Sequence, residues 1–60
     1  MNWQDVTEEQ WNTYRRIQYS GVTNMFAVNT VVELSGDVLN RDVCVAIMEN
    51  YSGLENKYEE

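Results

Sequence analysis

The chain has 60 residues, no histidine, no proline and one cysteine, and its ten acids against four bases give a formal net charge of -6. Without histidine, the usual general base at neutral pH and the commonest metal ligand are missing, and Cys44 alone forms neither an intrachain disulfide nor a multi-cysteine zinc site. The acidity argues against binding nucleic-acid phosphates or an anionic membrane surface, and no apolar run approaches the ~20 residues that span a bilayer.

Apolar residues make up 43% of the chain, too many for a disordered polymer and enough for one small core, so a single helical domain over residues 1–60 is expected. Each glycine follows a serine, at Ser20-Gly21, Ser35-Gly36 and Ser52-Gly53, and each pair closes a stretch with helical apolar spacing. In the first stretch Thr7 and Gln10 fit a capping box, with Val6 and Trp11 placed for a hydrophobic staple. Glu8 and Glu9 suit the positive end of the helix dipole, and Arg15 and Arg16 suit the other end. This reading predicts a helix over about 8–19 that buries Trp11, Tyr14 and Ile17, with Gln18 at the edge of the stripe.

The second stretch holds three valines and a threonine between Ala27 and Val32, so a strand competes by propensity, but the alternation breaks at Val31-Val32. Helical spacing puts Met25, Val28, Val32 and Ser35 on one face, flanked by Val31 and Leu34, and predicts a helix over about 25–35 capped by Thr23 or Asn24. In the third, Leu39, Asn40 and the charged pair Arg41-Asp42 read as staple, N-cap and first turn of a helix over about 41–52. Cys44, Ile47, Met48 and Tyr51 form its apolar face, with Val43 on the edge. Ser52-Gly53 either ends that helix or, with Glu55, caps a short fourth one, whose Leu54 and Tyr58 fold back on the core. The fold class expected is an all-α, compact three-helix domain with this optional fourth helix.

With no disulfide or metal to support so small a core, self-association into a homodimer is the expected aid. Two tryptophans, four tyrosines and a phenylalanine exceed what such a core needs to bury, which predicts an exposed aromatic patch. The candidate chemistry is sparse. Glu8 and Glu9 point apart on a helix, Asp42 and Glu49 share a face with nothing to mark a cleft, and Asp37, Asn40 and Asp42 miss calcium-loop spacing. Cys44 on an apolar face reads as core packing. A DNA-reading helix-turn-helix needs a basic recognition helix, and the third stretch is acidic. Four of the six net negative charges lie after Gly36.

At Ser20-Gly21-Val22-Thr23-Asn24-Met25-Phe26, followed by Val28 and Leu34, the chain resembles a group of short phage and prophage proteins of Gram-positive bacteria. Those proteins carry an S-G-x-T-N-M-F-D-V core and often a later I-M-x-N-Y, which here is Ile47-Met48-Glu49-Asn50-Tyr51. The likeness covers about residues 14–58, and Ala27 stands where the pattern has an acid. The resemblance implies a phage origin and a place in the host cytoplasm, and it brings no catalytic residues.

The expectation from these features is a non-enzymatic phage accessory protein that binds and modulates or inhibits a host protein, with defence components among the targets. It expects no cofactor, no metal and no membrane attachment. A dimeric DNA-binding regulator of transcription or replication is the alternative. If binding uses charge, Asp42, Glu49, Glu55 and Glu59 carry it; if it uses apolar surface, Trp3, Trp11, Tyr19 and Phe26 do.

Overall fold

The computed structural model describes residues 2–21, 24 and 27–59. A 3-10 turn at Trp3–Asp5 precedes α1 (Glu8–Ser20), α2 (Val28–Leu34), α3 (Arg41–Glu49) and α4 (Tyr51–Glu59), and no strand occurs among the described residues. The all-helical expectation holds, and the optional fourth helix is among the described elements.

The start of α1 follows the local code. Thr7 Oγ1 accepts from the Gln10 amide at 3.1 Å, the Gln10 side chain accepts from the Thr7 amide at 2.9 Å, and Val6 beside them is buried. Gly21 ends the helix in the left-handed region at φ 66°, where a side chain would be strained. At the next turn Gly36 and Asp37 are both left-handed, at φ 62° and 71°. Ser35 holds this turn from within: its buried hydroxyl donates to the Val32 carbonyl at 2.6 Å and accepts from the Leu39 amide at 3.1 Å. Asn40 then caps α3, accepting from the Val43 amide at 2.9 Å, and Leu39 lies buried in the staple position.

Three boundaries differ from the expectation. First, α2 begins at Val28 rather than 25, and its N-cap is Ala27, which makes no side-chain cap bond. Asn24 is therefore not the cap; Thr23, Met25 and Phe26 lie outside the described residues. A valine-rich helix of seven residues has little intrinsic stability and is held by its packing. Val31 is fully buried at the centre of that packing, Val28 and Val32 are half-buried, and Leu34 is 49% exposed, so the inward face is rotated from the one expected.

Second, α3 stops at Glu49 rather than 52. Asn50 leaves the helical region, at φ -138° and ψ 46°, while its carbonyl accepts from the Leu54 amide at 3.1 Å and so opens α4. The fourth helix is thus a full nine residues. Third, Gly53 is neither a stop nor part of a cap but lies inside α4. A Cβ built on it would come 2.5 Å from Asn50 Nδ2 and 3.1 Å from Trp3 Cη2, so glycine serves close packing there.

The core gathers Val6, Trp11, Tyr14, Ile17, Val31, Leu39, Val43, Cys44, Ala46, Ile47 and Leu54. Helix α3 is central, packing against the 3-10 turn, α1, α2 and α4. The tail folds back as expected: Leu54 is fully buried, and the Tyr58 hydroxyl donates to the Val6 carbonyl at 2.6 Å. The Cα radius of gyration is 10.3 Å, matching the roughly 10.4 Å of a well-packed chain of this length. No helix among the described residues is long and apolar enough to cross a membrane.

Candidate functional site

Two stripes with a period of four residues face one another across the seam between α1 and α4. On α1 the stripe is Trp11, Arg15 and Tyr19; on α4 it is Tyr51, Glu55 and Glu59. Residues four apart on a helix stack on one face, so each stripe is continuous. Arg15 sits at the centre. Its guanidinium carbon lies 5.3 Å from the Trp11 ring centroid, 4.8 Å from Tyr19 and 5.5 Å from Tyr51. Its Nη1 pairs with Glu55 at 3.4 Å and with Glu59, and its Nη2 donates to the Tyr19 hydroxyl. Arg16, one position on, turns outward and is exposed.

The seam beneath Arg15 is aromatic. Trp11 meets Tyr51 edge-on with centroids 5.0 Å apart, and Tyr14 meets Tyr51 at 6.5 Å. The Tyr51 hydroxyl crosses back to α1, donating to Gln18 at 2.8 Å. Burial disfavours charge on the Arg15 side chain, which is only 12% exposed, but the Tyr19 hydroxyl, Tyr51 and Glu59 outweigh that and raise its pKa above the ordinary value. Burial pushes the Tyr51 phenol up too, against the pull of Arg15 and of the hydrogen bond to Gln18. The Trp11 indole N–H and the Arg15 Nε–H are buried with no hydrogen-bond partner among the described residues. Both lie within the aromatic cluster, where ring faces act only as weak acceptors.

Of the residues singled out in the sequence, Tyr19, Glu55 and Glu59 converge here. Tyr19 is 74% exposed, and the side chains of Glu55 and Glu59 are 51% and 34% exposed. Asp42 and Glu49 are exposed on α3 and belong to neither stripe. Trp11 is corrected: it is fully buried and belongs to the core, so it presents no surface to a partner. Trp3 is half-buried against the core over Gly53, because the 3-10 turn folds it inward. Phe26 lies outside the described residues.

The expected aromatic surplus is thus mostly absorbed by the core and its edge, and Tyr19 is the one large exposed aromatic among the described residues. Arg15 was missed as a site residue because its partners are 40 and 44 positions away. One signal pointed to it. Glu55 and Glu59 repel each other at i, i+4 on one helix face unless a cation from elsewhere lies between them.

Elsewhere, an open hollow of about 400 Å³ beside the start of α2 is lined by Ala27, Val28, Asn29, Thr30 and Arg41, none of them a candidate binding residue from the sequence. Cys44 is buried in the core and its thiol is pushed above its ordinary pKa by burial, which suppresses the reactive thiolate. Among the described residues no three acids or thiols gather to hold a metal ion. Comparison with protein-family models, with curated proteins and with solved structures found no match to this chain.

Proposed function

We propose that this chain is a non-enzymatic phage accessory protein of the host cytoplasm that binds and modulates or inhibits a host protein, a defence component among its targets. The observation that carries the reading is the α1–α4 seam, where an exposed tyrosine stands beside two part-exposed carboxylates on a packed base. Exposed aromatic groups with a charged rim are the usual anchors of protein interfaces. The overall charge of -6 favours a basic partner and speeds its encounter. The phage and host assignments rest on the S-G-x-T-N-M-F resemblance, and the homodimer on the small size of the core.

The test is capture from a lysate of a Gram-positive host by the immobilised chain, with the captured proteins identified by mass spectrometry. The expected result is a partner retained against competition by free chain; recovery of none overturns the proposal. In a gel shift at low salt the chain leaves non-specific duplex unbound. Binding that weakens steeply with salt would favour the DNA-reading alternative. Sedimentation at micromolar concentration reads the dimer directly.

A further inference from the structure

We infer that the α1–α4 seam is a docking surface for an arginine-bearing basic segment of a protein partner, with Tyr19, Glu55 and Glu59 as the receiving groups. The inference rests on the protein-binding reading above and names the chemistry of what is bound.

Three observations carry it. The first is charge balance: two carboxylates share one guanidinium, so the cluster keeps a net negative charge after its internal pairing. The second is unused acceptor capacity. Arg15 engages Oε2 of both Glu55 and Glu59, and Oε1 of each accepts no hydrogen bond from the described residues. A carboxylate accepts through both oxygens, so each retains an acceptor on a side chain that reaches solvent. The third is the Tyr19 ring. Arg15 lies 4.8 Å from its centroid and donates to its hydroxyl, and the residue is 74% exposed, which leaves ring surface in contact with solvent. A second guanidinium stacked on the solvent side of the ring would add a positive charge beside the acidic cluster.

The geometry selects arginine over lysine. A guanidinium is planar, stacks on an aromatic face and donates two parallel hydrogen bonds to a carboxylate, whereas an ammonium is a strongly hydrated point charge. Arg15 shows the cluster's affinity for that group, since the chain's own guanidinium already lies among these rings and acids. The other acids picked from the sequence, Asp42 and Glu49, are exposed on α3 and hold no ion pair with Arg15. The chain's other cations do not fill the place: Lys57 donates to the Gln4 carbonyl at 3.1 Å and lies over Tyr58, Arg41 lines the hollow beside α2, and Arg16 is exposed without an ion pair among the described residues.

The test is a side-chain NMR titration of the whole chain with a twelve-residue glycine-serine peptide carrying four arginines, beside citrulline and lysine versions. The expected result is saturable shifts centred on Tyr19, Glu55 and Glu59, with the arginine peptide bound about tenfold more tightly than the citrulline one, since citrulline keeps the shape and loses the charge. Tyr19→Ala and Glu55→Gln each weaken arginine binding several-fold. Both positions are exposed, and an unchanged amide spectrum checks that the fold is kept.

Citrulline or lysine binding as tight as arginine overturns the inference, as do shifts centred on Asp42 and Glu49 or no binding at millimolar peptide. A dimer that dissociates on Tyr19→Ala assigns the seam to a second copy and also overturns it. Lysate capture separates the two claims. Capture that survives Tyr19→Ala with Glu55→Gln rejects this surface and leaves the binding function standing. Selective arginine binding without any captured partner supports the surface and rejects the function.

Discussion

Gly53 lies inside a helix, where glycine costs up to about 1 kcal/mol relative to alanine, yet alanine does not fit. Its Cβ would meet Asn50 Cγ and the Trp3 ring, both at 3.1 Å, and Asn50 Nδ2 more closely still. Asn50 is half-buried at the joint between α3 and α4, and Trp3 packs against the core, so a methyl group on Gly53 has to displace both. Gly53→Ala is therefore expected to destabilise by about 1 kcal/mol, the cost of displacing two packed groups exceeding the gain in propensity. Ser52→Ala, exposed in the same turn, is the control and changes stability by under about 0.5 kcal/mol. Urea unfolding followed by tryptophan fluorescence measures both, and a stabilised Gly53→Ala would show that Trp3 does not close over α4. Gly21→Ala loses about 1 kcal/mol for a different reason, since nothing lies within 4 Å of the added Cβ but φ 66° strains an L-residue.

At the scale of the element, α4 is held by an apolar centre and a charged edge, and these separate experimentally. Leu54 and Tyr58 supply the first, and Arg15 with Glu55 and Glu59 the second. Arg15 is mostly buried, so Arg15→Ala removes packing against three rings as well as two ion pairs, and about 2 kcal/mol is expected. Glu59 is partly solvated, so its coupling to Arg15 is screened. A double-mutant cycle with Arg15→Ala and Glu59→Gln is expected to give about 0.5–1 kcal/mol, shrinking in 1 M salt. A coupling near zero would leave the Arg15–Glu59 pair without a share in stability.

The same division explains what the sequence made legible. Thr7 with Gln10, and Asn40 with Val43, are contacts within one turn, so residue type and spacing specify them. The α3–α4 break was hidden because the apolar spacing Cys44, Ile47, Met48, Tyr51 runs through Asn50 unbroken, while the close approach of Trp3 to Gly53 is a contact between distant positions that spacing does not show. Of the Arg15 cluster the sequence offered Tyr19, Glu55 and Glu59 as separate candidates and not the cation between them. Which acids face which cation is decided by how α4 returns along α1, 40 or more positions away.

For the whole molecule, the buried titratable groups set a limit on the alkaline side. Burial pushes the thiol of Cys44 and the phenols of Tyr14 and Tyr51 above their ordinary values of 9.0 and 10.0, with Cys44 and Tyr51 adding to the rise at Tyr14. A raised folded-state pKa means that the folded chain keeps a proton the unfolded chain has released. Stability from these groups is therefore complete below pH 9, begins to fall as the unfolded thiol ionises, and falls further as the unfolded phenols follow. Arg15 is raised as well, so its pairs with Glu55 and Glu59 persist through this window and do not cause the loss. Urea midpoints are expected to stay level from pH 7 to about 9 and then decline. General repulsion in an acidic chain also grows with pH, and variants distinguish it. Cys44→Ala removes the earliest part of the decline and Tyr14→Phe a later part, each at some cost in stability at pH 7. A decline of the same shape in both variants would assign the alkaline limit to net charge rather than to these buried groups.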